Sequence, residues 1–161
     1  MNENLIAPEI DQPNYKLHKI GSFRIAAFFG GPIAIGIMTF RNYLNLDRGS
    51  DAKKWLLYSI LTSIVMTIAI IYMPAQIIDY MPFIAWSLLY SFIAGEIYKV
   101  LFTDIGQKHL DNKGDFFNGW YTFVIMIVSY FIEINVNVFV TIALDPTMDL
   151  SDLMSAIMSL I

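Results

Sequence analysis

The sequence predicts an all-α fold: a transmembrane four-helix bundle followed by a short C-terminal amphipathic helix. Four long apolar runs occupy residues 25–40, 55–78, 80–102 and 120–144, and only Glu96, Lys99 and Glu133 interrupt them with charge. The chain is 57% hydrophobic and 15% charged, whereas soluble domains carry about 45–50% apolar and about 25% charged residues. Because a spanning helix needs about 20 mostly apolar residues, the runs are candidate membrane crossings.

Three regions follow from this pattern. Residues 1–20 form a polar N-terminal segment, 21–145 the four-helix transmembrane domain, and 146–161 an amphipathic tail. The N-terminal segment lacks the basic start and small-residue cleavage site of a signal peptide, so the first crossing is expected to be retained. In the tail, apolar side chains recur at helical spacing opposite serines and Asp152, which predicts a short helix that packs on the bundle or on a partner.

The distribution of Lys and Arg predicts the orientation in the membrane. Residues 41–54 and 99–118, the first and third loops, contain seven of the ten basic residues, while the turn 73–79 and the chain after 144 contain none. The positive-inside rule therefore places both loops in the cytoplasm. Both termini are then expected outside it, although Lys16, Lys19 and Arg24 favour the opposite orientation for the first helix.

Composition also excludes several kinds of function. The absence of cysteine rules out disulfides, thiol catalysis, iron–sulfur clusters and cysteine zinc sites. A net charge of -4 with no basic stripe argues against nucleic-acid binding, which requires clustered Lys and Arg. His18 and His109 have no second ligand at metal spacing, so both are expected to be ordinary surface histidines. No metal or cofactor is expected.

The residue that stands out chemically is Glu133, near the middle of the fourth run. A charge at that depth costs about 2.5–3.5 kcal/mol on insertion scales, so the carboxyl group should be neutral, paired or in contact with water. On a helix, Tyr130, Glu133, Asn137 and Thr141 share one stripe, while Asn135 points elsewhere. The stripe has two possible roles. It is a relay for protons or cations, or it is a buried cluster of hydrogen bonds that fixes which helices pair.

Gly30, Gly31 and Pro32 in the first run are the expected partner of that stripe, since they lie at a similar depth. Pro32 cannot donate a backbone hydrogen bond, which leaves the carbonyl group of Phe28 free. Such a break can coordinate a cation or accept a hydrogen bond from a protonated Glu133. Alternatively, these small residues only allow close helix packing, as do the hydroxyl and small side chains of the second and third runs.

The chain resembles a group of small, uncharacterised bacterial membrane proteins with four predicted helices. The resemblance spans residues 16–130 and rests on short motifs: Gly30-Gly31-Pro32, Asn42-Tyr43-x-x-Leu46, Pro74, and His109 followed by Gly114 and Trp120. It implies a multi-pass protein of the bacterial inner membrane. The group has no assigned activity, so the resemblance supplies no catalytic residues.

These observations favour a non-enzymatic membrane subunit that engages the lipid bilayer and either a protein partner or further copies of itself. The alternative is a small proton- or ion-conducting protein that uses Glu133. A membrane enzyme acting on lipid would need an interfacial cluster of His, Asp or Glu, and only His109 with Asp111 and Asp115 approaches one.

Overall fold

The computed structural model describes residues 13–74, 76–77 and 83–144, and it confirms the predicted all-α class. Within those residues the chain forms four helices: α1 (Ile20–Asn45), α2 (Gly49–Ile71), α3 (Phe83–Asp111) and α4 (Gly119–Leu144). All four are long and apolar enough to cross a membrane, and the protein is a multi-pass membrane protein. The amphipathic helix predicted for 146–161 lies outside the described residues.

The first helix is bent into a hairpin. Gly31 has φ 55° and ψ -150°, which interrupts the helix and divides it into arm one (20–30) and arm two (32–45). The ring of Phe102 on α3 lies 6.0 Å from that of Phe23 and 5.0 Å from that of Tyr43, centroid to centroid. In a straight helix those two residues would be about 30 Å apart, at about 1.5 Å per residue. Arm two therefore runs back alongside arm one.

Neither arm is long enough to cross a bilayer. At about 1.5 Å per residue the arms measure about 16 Å and about 21 Å, whereas the hydrocarbon core is about 30 Å thick. The hairpin therefore enters the bundle and leaves it at the same end, whereas α2, α3 and α4 are each long and apolar enough for a full crossing. The sequence predicted a complete first crossing, and the bend at Gly31 is the reason for the difference.

Residues 13–19 lie at the end of the bundle where the hairpin opens. The backbone N–H of Leu17 donates to the carbonyl oxygen of Asp115 at 3.3 Å, and that of Phe117 donates to Leu17 at 3.0 Å. The Asn45 amide donates to the carbonyl oxygen of Lys16 at 2.6 Å. The α1–α2 connection (46–48) and the α3–α4 connection (112–118), which are shorter than the predicted loops 41–54 and 99–118 because the helices extend into both segments, are at this end, named here the loop end. The opposite end, which holds the α2–α3 connection, is the turn end. The expectation that the N-terminal segment and the basic loops lie on opposite sides is therefore wrong for residues 13–19.

In both loops at the loop end, the second residue after the helix lies in the left-handed backbone region. Asp47 has φ 57° after α1, and Lys113 has φ 56° after α3. In each case hydrogen bonds close the last turn, as where the N–H of Gly114 donates to the carbonyl oxygen of His109 at 2.7 Å. These are Schellman-type helix ends, which satisfy terminal carbonyl groups and turn the chain sharply.

The hairpin occupies the centre of the bundle, in contact with α2, α3 and α4. Glycines permit this close approach. A β-carbon on Gly30 would lie 2.7 Å from Cβ of Ser129 on α4, and one on Gly36 would collide with Ser59 on α2. A β-carbon on Gly95 of α3 would collide with the Arg24 side chain. Small residues at interhelical contacts are typical of membrane bundles.

Candidate functional site

The tip of the hairpin is built from a glycine and a proline. The φ and ψ of Gly31 fall in a region that is costly for any residue with a β-carbon. Pro32 follows as the first residue of arm two, where its missing N–H is not needed and its fixed φ suits a helix start. Pro32 therefore begins a new helix and does not kink a continuous one.

The carboxyl group of Glu133 faces the start of arm two. A β-carbon on Gly31 would lie 3.5 Å from Cδ of Glu133, and the backbone N–H of Ile33 lies near the same carboxyl group. The first N–H groups of a helix have no partner within the helix, and that end carries a partial positive charge. Glu133 of α4 is therefore placed beside the helix end where a capping carboxylate is favourable.

A second helix reaches the same carboxyl group. The Ser63 hydroxyl on α2 donates to Oε1 of Glu133 at 2.7 Å. The second oxygen, Oε2, is buried and has no hydrogen-bond partner among the residues that the structure describes. A single side chain therefore connects α4 with α2 beside the tip of the hairpin, and one of its two oxygens has no partner among the described residues.

A second polar contact joins α2 and α4 one helical turn beyond Glu133, in the direction of the turn end. Oγ1 of Thr67 lies 2.5 Å from Oδ1 of Asn137 and 2.9 Å from the carbonyl oxygen of Ser63. A hydroxyl group has one proton to donate. Both bonds form when the Asn137 amide is turned so that its Nδ2 donates to Thr67, an assignment that the network decides. Thr141 donates to the carbonyl oxygen of Asn137 at 2.9 Å.

The structure brings most of the predicted site residues together. Gly30 and Gly31 meet α4 at the level of Ser129 and Glu133, Pro32 follows Gly31 at the start of arm two, and Asn137 lies one helical turn from Glu133. The ring of Tyr130 lies beside that of Phe131, with centroids 6.3 Å apart. Sequence reasoning assigned Ser63 to simple packing and missed its bond to Glu133, because a serine in an apolar run gives no signal of its partner.

Between the loop end and Glu133, several buried polar atoms lack hydrogen-bond partners. Eight such atoms occur in the described part of the chain, and seven of them belong to the following residues: His18 (both ring nitrogens), Thr39, Asn42, Thr122, Ser129 and Glu133. Buried polar groups are normally paired with protein or with ordered water. These atoms supply places where water molecules can bind along the hairpin and α4. Sequence reasoning did not find this series, since its members come from three separate segments.

His18 lies at the start of this series, and it is fully buried. Its backbone N–H donates to Oδ1 of Asn42 at 2.8 Å, and its ring stacks on Phe117 at 4.4 Å between centroids. Burial, followed by the positive charge of Arg41, lowers the pKa of His18 to about 4. The side chain is therefore neutral at physiological pH.

His109 is also buried, with 1% of its surface exposed. Its Nε2 lies 2.7 Å from the carbonyl oxygen of Asp115, and its ring stacks on Tyr15. It fixes the third loop against the N-terminal segment. The interpretation of His18 and His109 as surface histidines is wrong, because the N-terminal segment packs on the third loop, which places His18 on Phe117 and Tyr15 on His109.

In the described ranges, no three or more His, Asp or Glu side chains are grouped as a metal ion would require. Comparisons with models of protein families, with curated proteins and with solved structures found no match. The geometry around Glu133 is therefore the starting point for a functional assignment.

Proposed function

We propose that this chain is a non-enzymatic integral membrane protein that acts as a structural or accessory subunit of a membrane complex or homo-oligomer. The observation that carries the proposal is the position of Glu133 between three helical segments. Its carboxyl group lies beside the start of arm two and accepts a hydrogen bond from Ser63 on α2. A polar side chain that fixes helix pairing in this way is a common device of membrane bundles.

The charge distribution supports an orientation. Because the hairpin returns to the loop end, Lys16, Lys19 and Arg24 lie in that half of the bundle together with the seven basic residues of segments 41–54 and 99–118. All ten Lys and Arg thus favour one orientation, with the loop end in the cytoplasm. We place the protein in the bacterial inner membrane, in keeping with the resemblance to bacterial proteins of this type.

The test measures proton and cation flux in proteoliposomes, with thermal unfolding of the same samples in detergent. The wild type, Glu133→Gln and Glu133→Ala are compared. A structural role predicts no flux in any of them. It predicts near-normal stability for Glu133→Gln, since an amide oxygen still accepts from Ser63 and still lies beside the start of arm two. The alanine variant leaves the Ser63 hydroxyl without this partner and should lose about 1–3 kcal/mol. Flux through the wild type would contradict the proposal.

A second candidate function is proton conduction through Glu133. The observation that favours it is the series of unpartnered polar atoms from His18 to Glu133, which continues towards the turn end through Asn137 and Thr141. Water bound along this series would complete a hydrogen-bonded path, and Glu133 would receive and release the proton. This function predicts proton flux in the wild type and its loss in Glu133→Gln, whose amide does not titrate.

A further inference from the structure

Asn135 is a polar side chain on the outer surface of α4, two residues from Glu133. It is exposed, and its Nδ2 donates to the carbonyl oxygen of Phe131 at 2.7 Å. That bond uses one of the two amide hydrogens. The other hydrogen and Oδ1 have no partner among the described residues. At this depth the surrounding solvent is hydrocarbon, which offers no hydrogen bonds.

The surroundings of Asn135 are otherwise apolar. It lies in a shallow groove of about 360 Å³ between α2 and α4, whose other lining residues are Ile64, Phe131, Ile132, Val136 and Phe139. Phe131 and Phe139 are one turn away on either side, with 60% and 73% of their surfaces exposed. The groove therefore combines large apolar side chains with one amide that can both donate and accept.

We propose that this groove is the interface with a second copy of the chain, in which α4 packs against α4 of the partner across a twofold axis along the membrane normal. This proposal rests on the proposed function as a self-associating subunit and names its surface. Such an axis places each residue opposite its own copy at the same depth. An amide is self-complementary, so the two Asn135 side chains can exchange N–H···O bonds, as polar residues do between membrane helices.

The chain contains no cysteine, which allows a clean cross-linking test in membranes. Single-cysteine variants Phe131→Cys and Phe139→Cys report on the proposed interface, and Leu88→Cys on α3, with 58% of the leucine exposed, is the matched control. We expect disulfide-linked dimers from both α4 variants and none from Leu88→Cys. Equal cross-linking at all three positions, or no dimer from the α4 variants, would overturn the proposal.

A second set of variants isolates the amide. Adding Asn135→Leu to Phe139→Cys should weaken dimerisation by about tenfold, measured by energy transfer between labelled copies at several protein-to-lipid ratios. Asn135→Gln should restore most of it. Because Asn135 is exposed and leucine is apolar, folding is preserved, and thermal unfolding checks this. Dimerisation that is unchanged by Asn135→Leu would overturn the role of the amide.

The two proposals fail separately. A monomer that conducts no ions would overturn the α4 interface and leave a subunit whose partner is a different protein. Proton flux that is lost in Glu133→Gln would overturn the structural function, whatever the cross-linking shows. A dimer without flux supports both.

Discussion

Gly31 determines the direction of the chain after arm one. Its φ of 55° and ψ of -150° belong to a region that is essentially restricted to glycine. The space around it is not crowded: a β-carbon there would make only ordinary van der Waals contacts with Glu133, the nearest at 3.5 Å. Backbone conformation, and not a steric clash, is therefore the reason that this position requires glycine.

Gly31→Ala should accordingly lower the free energy of unfolding by about 1–3 kcal/mol, the usual cost of such a conformation in a residue with a β-carbon. Thermal unfolding in detergent, followed by circular dichroism, measures the change. Gly21→Ala is the matched control, because Gly21 lies in the same helix and a β-carbon there would have nothing within 4 Å. That variant should be neutral or stabilised by about 0.5–1 kcal/mol. Equal effects at both positions would contradict the assignment of strain to Gly31.

His18 gives the folded state a dependence on pH. Its folded-state pKa is lowered to about 4 from an ordinary value of 6.5. Between these values the unfolded chain binds a proton that the folded protein does not. The stability that the neutral ring contributes is therefore complete above pH 6.5 and is lost as the pH falls towards 4, by up to about 3 kcal/mol.

His18→Phe should remove this dependence, since phenylalanine keeps the stacking on Phe117 and has no titrating group. Unfolding temperatures at several pH values between 7.5 and 4, compared with the wild type, measure it. Phe117→Leu is the control, because it disturbs the same packing and leaves the titration in place. It should lower the unfolding temperature at every pH and keep the dependence of the unfolding temperature on pH. If that dependence persists in His18→Phe, another group causes it.

The polar residues of the site were only partly predictable from sequence. Glu133, Asn137 and Thr141 were found because helical periodicity places them on one face of a single element. The contact between Glu133 and Gly31 was predicted because the two residues lie at similar depths in the first and fourth apolar runs. The bond from Ser63, however, depends on how α2 is rotated relative to α4, and periodicity within one helix contains no information about the rotation of another.

Among the helices, α1 is the one that periodicity misjudged. An apolar run long enough to cross the membrane as one helix can also form two antiparallel arms of half that length. The amino-acid composition is the same for the straight helix and for the hairpin, so it does not distinguish them. The informative signal was Gly31 followed by Pro32, the combination of a glycine-only bend and a helix-starting proline. That pair predicts a break in the helix, but it does not give the angle, which is a property of the glycine φ and ψ.

The contact between arm two and α2 predicts a coupled pair of variants. Gly36→Ala places a β-carbon against Ser59 and should cost about 1–3 kcal/mol through overpacking. Removing the Ser59 side chain with Ser59→Gly opens the space, so the double variant should recover part of the loss, with a coupling energy of about 0.5–3 kcal/mol. Thermal unfolding of all four proteins measures the cycle. Strict additivity would show that the two helices do not touch at this point.

For the whole molecule, the hairpin resolves a conflict in the distribution of charge. With a full first crossing, Lys16, Lys19 and Arg24 oppose the orientation that the seven loop residues favour. With a hairpin, all ten basic residues lie in the same half of the bundle. The orientation rule operates on the charge flanking each crossing, so the folded topology with three crossings agrees with it better than the predicted one with four.

Labelling of single cysteines in intact cells tests this topology, and the cysteine-free chain provides the background. Asn14→Cys, Lys53→Cys and Asn112→Cys replace exposed residues at the loop end, and Gln76→Cys replaces an exposed residue in the α2–α3 connection. A membrane-impermeant maleimide should label Gln76→Cys in intact cells and the other three only after permeabilisation. Full labelling of all four after permeabilisation is the control for reactivity. Labelling of Asn14→Cys together with Gln76→Cys in intact cells would mean that α1 crosses the membrane. Two bonds argue against that result: the bond from Leu17 to Asp115 places the start of α1 at the loop end, and the bond from Asn45 to Lys16 joins the start of α1 to its end.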